Sequence, residues 1–120
     1  MPLHLLLVDD EAINLLGLKA ILRRDYEVTT AISAREALAI LARQRVDAVI
    51  SDQKMPGMLG TELFAACQDR QKTGIRIILS GYDNDQAINQ ALASQIIDYS
   101  LGKPIRTAKL QAILHGRDQR

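Results

Sequence analysis

The chain is 120 residues long, 48% hydrophobic and 24% charged, the profile of one globular domain, since domains commonly span about 100–150 residues. Its formal net charge of +1 lacks the basic field that a nucleic-acid surface needs, and no apolar run approaches the ~18 residues of a membrane span. A lone cysteine, Cys67, excludes an internal disulfide framework and a Cys-based metal finger. The expected setting is the cytoplasm, with neither nucleic acid nor membrane as a direct partner.

In chain order, the first apolar run is Leu3–Val8. It is nearly continuous rather than alternating, which suits a strand covered on both faces. The acidic triplet Asp9, Asp10 and Glu11 cuts it off too early for a signal-peptide core. Next, Ile13, Leu16, Ala20 and Ile21 fall at helical spacing. Glu27–Ala31 is shorter and more polar, as an edge strand would be. Ser33-Ala34-Arg35-Glu36 reads as a capping box opening a second helix, in which Ala37, Leu38, Ile40 and Leu41 recur at helical spacing. Val46–Ser51 predicts a third strand, and Leu63, Phe64 and Cys67 the buried stripe of a third helix. After the strand Ile75–Leu79, Asp83-Asn84-Asp85 caps a fourth helix that runs to about Ala93. Ile96–Leu101 is the fifth strand, and a fifth helix from about Thr107 to His115 stops at Gly116.

Five β-α units in succession predict a doubly wound α/β sheet with right-handed crossovers. They make one domain over residues 1–120, with residues 116–120 readable as the start of a linker. In such sheets, sites form beyond the carboxyl ends of the strands. The first strand ends in Asp9-Asp10, the third in Asp52, the fourth in Ser80 and the fifth in Lys103. If the first and third strands are neighbours, about 4.8 Å apart, three carboxylates crowd into one small volume and repel. A hard divalent cation relieves that repulsion, and oxygen ligands with partial hydration are what Mg²⁺ accepts. Taken alone, Asp9-Asp10 also reads as an N-cap, Lys103 as a solvated lysine and Ser80 as a turn residue before Gly81. Together they could hold three phosphoryl oxygens, and a carboxylate can serve as the nucleophile of a phosphoryl transfer.

These residues stand in four short motifs: Val8-Asp9-Asp10-Glu11, Ser51-Asp52-Gln53-Lys54-Met55-Pro56-Gly57 with Gly60, Leu79-Ser80-Gly81, and Lys103-Pro104. In that order and spacing the chain resembles a response-regulator receiver domain of two-component signalling, from Leu3 to about His115. The resemblance implies a flavodoxin-like (βα)5 fold, with a five-stranded parallel sheet of order 2-1-3-4-5. It implies Asp52 as phosphoacceptor, Asp10 binding Mg²⁺ (or Mn²⁺) directly, Asp9 largely through water, and the backbone carbonyl of Lys54 as a further ligand. Ser80 takes the switch-hydroxyl role, Lys103 pairs with the phosphoryl group, and the Lys103–Pro104 bond is expected to be cis. A sensor histidine kinase or phosphotransfer protein, or a small donor such as acetyl phosphate, would modify Asp52. The response would be a population shift of the face formed by the fourth helix, fifth strand and fifth helix, which also offers a homodimer surface. Such a domain is a signalling switch, catalysing only its own phosphorylation and dephosphorylation, and it controls a partner or an output domain carboxyl-terminal to it.

Two departures stand out. The family usually carries an aromatic residue three positions before the lysine; here that position is Ser100, and Tyr99 precedes it on the opposite strand face. This predicts a weakened or rerouted switch. Lys54 and Tyr82, flanking the path of an attacking water, are neither amide nor carboxylate, which predicts slow autodephosphorylation. A competing reading is an interaction module that keeps the receiver fold without using phosphorylation. An aspartate-nucleophile phosphatase would want a second aspartate where Lys54 stands. A flavin protein would want phosphate loops and more stacking aromatics than one Phe and three Tyr supply. Gly57 and Gly60 make no phosphate-binding loop. His4 and His115 are isolated, Cys67 reads as core, and Arg117–Arg120 as a solvated tail.

Overall fold

A computed structural model describes residues 2–81 and 84–118. Tyr82 and Asp83, which entered the lifetime and capping expectations, and the last two residues of the tail lie outside the described residues. Strands β1 (His4–Val8), β2 (Glu27–Ala31), β3 (Ala48–Asp52), β4 (Ile75–Ser80) and β5 (Tyr99–Gly102) form one parallel sheet of order β2-β1-β3-β4-β5. Around it pack α1 (Ala12–Leu22), α2 (Ala34–Arg43), α3 (Gly60–Ala66), α4 (Arg70–Thr73), α5 (Gln86–Ala93) and α6 (Thr107–Asp118). The architecture is the expected flavodoxin-like one. The single turn α4 is an addition to the five expected helices.

Both faces of the central strands are buried, which explains their unbroken apolar runs. Leu6, Val8, Val49 and Ile78 face one cluster with Ala37, Leu41, Leu63, Phe64 and Ile88 of α2, α3 and α5. Leu5, Leu7, Ile50 and Ile77 face the other, with Leu15 and Leu22 of α1 and Leu110 and Leu114 of α6. Alternate residues of one strand thus anchor opposite layers, at roughly 2 kcal/mol for each fully buried Leu or Ile.

The structure corrects several boundaries. In α1 the buried positions are Leu15 and Leu22, while Ile13, Leu16 and Ile21 of the expected stripe are exposed, Ile13 by 82% and Leu16 by 68%. The helix carries apolar residues almost all round, so period alone could not choose its inner face. β3 starts at Ala48 because the N–H of Val46 donates to Lys72 O instead of joining the ladder. β5 starts at Tyr99 because the N–H groups of Ile96 and Ile97 both donate to Ala91 O and finish α5. Helix α6 runs through Gly116 to Asp118, its inner face pinned by the fully buried Leu110 and Leu114. Cys67 is half-buried at the end of α3 rather than inside the core. Ser33 Oγ accepts from Glu36 N–H at 3.0 Å, which is the N-cap half of the expected capping box, and Asp85 caps α5 by accepting from Ile88 N–H at 3.1 Å.

A buried arginine ties the α3 end of the molecule together. Arg76 on β4 is 3% exposed. Its guanidinium donates to Phe64 O at 2.9 Å, Ile96 O at 3.1 Å, Thr73 Oγ1 at 2.9 Å and the carbonyl of Cys67. It also lies 5.6 Å from the centre of the Phe64 ring. Burial, and then the neighbouring Arg70, push its pKa below the usual arginine value. The carbonyl oxygens that end α3 replace the water the cation has lost.

Candidate functional site

Parallel β1 and β3 are adjacent, with Val8 opposite Ser51, so Asp9 and Asp10 emerge beside Asp52. One carboxylate oxygen from each of the three lies within 4.8 Å of the others. Asp9 and Asp52 are buried and Asp10 is exposed. Asp9 is held by the protein itself: Oδ1 accepts from Glu11 N–H at 2.9 Å and Oδ2 from Asn14 Nδ2 at 3.3 Å. Part of the N-cap reading is therefore present, since Asp9 turns the chain into α1, whose N-cap residue Glu11 makes no side-chain cap bond.

Lys103 closes the site from β5. Its Nζ lies 2.7 Å from Asp52 Oδ1, and the Lys103–Pro104 peptide bond is cis. Ser80 ends β4, buried, and its carbonyl accepts from Lys103 N–H at 2.9 Å. Lys54 follows in the loop between β3 and α3 with an exposed side chain. The donor set of three clustered carboxylates fits a hard divalent cation, and a cationic head against Asp52 fits an anion built on that carboxylate.

Ser100 and Tyr99 part company as strand alternation requires. Ser100 pairs with Ile78 and Tyr99 with Ile77, and no bulge interrupts the register. Ser100 and Ser80 line a recess of about 240 Å³ against Asp85, Ile88 and Asn89 of α5 and its cap. Tyr99 borders a different cavity, with Ile75 and Ile113. Two residues that support the site escaped the sequence reading. Asn14 is visible only as a polar group in the first turn of α1. Gln53 is visible only as an amide directly after Asp52.

The family model described as the response regulator receiver domain matches residues 5–115. The chain belongs to that family, whose domains are the switches of two-component signalling. Among relatives, it is 40% identical over 115 residues to the transcriptional regulatory protein GlrR of Escherichia coli, covering 93% of this chain and 26% of that one. It thus spans about a quarter of that regulator's length. Its fold matches a CheY-like receiver domain protein of Methanospirillum hungatei with a TM-score of 0.87 and 28% identity, over 99% of this chain and 96% of that one. It also matches the receiver domain of the sensor histidine kinase PA1611 of Pseudomonas aeruginosa, solved with a magnesium ion in its active-site cleft. That likeness has a TM-score of 0.82 and 26% identity, over the whole of both chains. Among the described residues, no helix is long and apolar enough to cross a membrane.

Proposed function

We propose that residues 1–120 form a working phosphoacceptor receiver domain, acting in the cytoplasm, with Asp52 as the residue modified. The observation that carries this is the meeting of Asp9, Asp10 and Asp52 within 4.8 Å, with the Lys103 ammonium on Asp52. Asp10, Asp52 and the Lys54 carbonyl would hold Mg²⁺ or Mn²⁺, with Asp9 reaching it through water. The magnesium reported in the PA1611 receiver domain supports that choice. Bound there, the metal would neutralise charge on the phosphoryl oxygens.

The chain's own residues do the rest. An Asp52 carboxylate oxygen attacks the phosphorus of a phosphohistidine on a sensor kinase or phosphotransfer protein. The new O–P bond forms as the P–N bond breaks, and the departing imidazole keeps the electron pair and takes a proton. Lys103 then pairs with the phosphoryl group it faces, and the Ser80 hydroxyl moves to donate to another of its oxygens. That movement shifts the population of the face made by α5, β5 and α6, where a second copy or an output domain would read it. With Ser100 beside a recess instead of a bulky ring, the coupling to that face is weak or rerouted.

The test is intact mass after incubation with acetyl phosphate and Mg²⁺, beside Asp52→Ala and an EDTA control. One added phosphoryl group that needs both Asp52 and metal, and that decays slowly, is the expected result. Absence of an adduct together with failure to form a beryllofluoride complex would leave an interaction module independent of phosphorylation.

A further inference from the structure

Gln53, next to Asp52, is 1% exposed. A buried amide must satisfy its hydrogen-bonding groups inside the protein, and the side-chain partners of this one both lie on Thr61 at the start of α3. Its Oε1 accepts from the backbone N–H of Thr61 at 2.9 Å, and its Nε2 donates to Thr61 Oγ1 at 3.2 Å. Its backbone carbonyl accepts from Gly60 N–H at 3.0 Å, and its own N–H donates to Leu79 O at 3.2 Å. The first N–H groups of a helix need acceptors from outside it. At α3 the N-cap residue is Leu59, whose side chain has no acceptor to offer. Gln53 supplies the missing pair, one from its backbone to Gly60 and one from its amide to Thr61.

The ends of the loop are pressed together as well as bonded. A Cβ on Gly60 would stand 2.5 Å from the Asp52 carbonyl oxygen, so only glycine lets α3 start this close to the end of β3. Residues 54–59 are thus a loop whose two ends are fastened to each other by three hydrogen bonds, all made by the residue that follows Asp52.

We infer that Gln53 is a positioning residue: its amide, locked on Thr61, holds the 54–59 loop so that the backbone at Lys54 stays aligned with the carboxylate cluster for metal binding. This rests on the phosphoacceptor reading above. An apolar side chain of similar size would fill the same volume yet leave the Thr61 N–H without an acceptor. Volume is therefore not what the position needs; direction is.

The experiment uses the 120-residue chain and four variants. Mg²⁺ affinity is measured by isothermal titration calorimetry, the metal-free melting temperature by circular dichroism, and Thr61 amide exchange by NMR. Gln53→Met is expected to weaken Mg²⁺ binding about tenfold, the scale typical of lost outer-shell support, and to speed exchange at Thr61 in the metal-free protein. Thr61→Val, which removes only the hydroxyl acceptor, is expected to lose about threefold, and Thr61→Ser to restore affinity to within about twofold. Leu22→Val loosens the core on the other side of the sheet and is expected to lower the melting temperature while leaving Mg²⁺ affinity unchanged. If Gln53→Met binds Mg²⁺ as the unmodified chain does, or if Leu22→Val weakens binding as much, the inference is overturned while the receiver reading stands. If the unmodified chain binds no Mg²⁺, both fall.

Discussion

Replacing Lys103 by Met isolates the charge that faces the acidic cluster. Nζ lies 2.7 Å from Asp52 Oδ1 and its side chain is 33% exposed, so the ammonium sits where water still screens it. Methionine keeps most of the stem and removes the cation. For Mg²⁺ on the same Asp52 oxygen at the usual ~2.1 Å, the two cations would stand at most about 5 Å apart, the sum of the two contacts. Charges of +2 and +1 at that separation repel by ~1.7 kcal/mol at the dielectric of water. Physiological salt reduces this to ~1 kcal/mol. Lys103→Met is therefore expected to tighten Mg²⁺ binding by about 1–2 kcal/mol, roughly five- to thirty-fold, with the larger gain at low salt. Calorimetric titration at two ionic strengths measures it. The same variant should accept less phosphoryl group from acetyl phosphate, because the transferred anion loses its cationic partner. An affinity that is unchanged or weaker, at either salt concentration, would refute the electrostatic argument.

Other perturbations probe the framework. Arg76→Met strips the donor from the carbonyls of Phe64, Cys67 and Ile96, at a cost of about 3 kcal/mol and ~10 °C in melting temperature. Arg76 pairs with Val49, well below the Asp52–Leu79 rung, so Mg²⁺ affinity should not change; a drop of less than 3 °C on melting would show that the guanidinium is not the tie. Gly60→Ala drives a Cβ to within 2.7 Å of Ile78 Cδ1 as well as onto the Asp52 carbonyl, and is expected to cost about 2–3 kcal/mol in urea unfolding. A cost under ~1 kcal/mol would mean that the loop backs away freely. On α1, Leu16→Lys should leave stability within ~0.5 kcal/mol, while Leu15→Ala should lose about 2–4 kcal/mol; the reverse ranking in the same unfolding assay would contradict the face the helix presents.

Much of the fold is written in local pattern. The continuous apolar runs ending in Asp9, Asp52, Ser80 and Lys103 mark parallel strands buried on both faces, because only such strands have no polar side to alternate with. The caps at Ser33 and Asp85 are equally local, a side-chain oxygen reaching an N–H three residues on. Period is silent where a helix is apolar all round, as α1 is, and where apolar residues that finish a helix lie just ahead of a strand, as Ile96 and Ile97 do before β5. The turn α4 has too few residues to display a period at all.

The sequence by itself determined which chemical groups stand at the strand ends and in what order, since that depends only on counting along the chain. Tertiary structure alone decided that Asp9, Asp10 and Asp52 come within 4.8 Å and that Lys103 reaches Asp52. That meeting depends on β1 lying beside β3 and on β5 closing the edge next to β4, pairings between residues 43 and 22 positions apart that no local preference encodes. Gln53 shows the same limit at short range. Its amide becomes a cap for α3 only because the loop returns Thr61 to it, and a hydrogen bond is decided by where two groups arrive, not by how far apart they are in the chain.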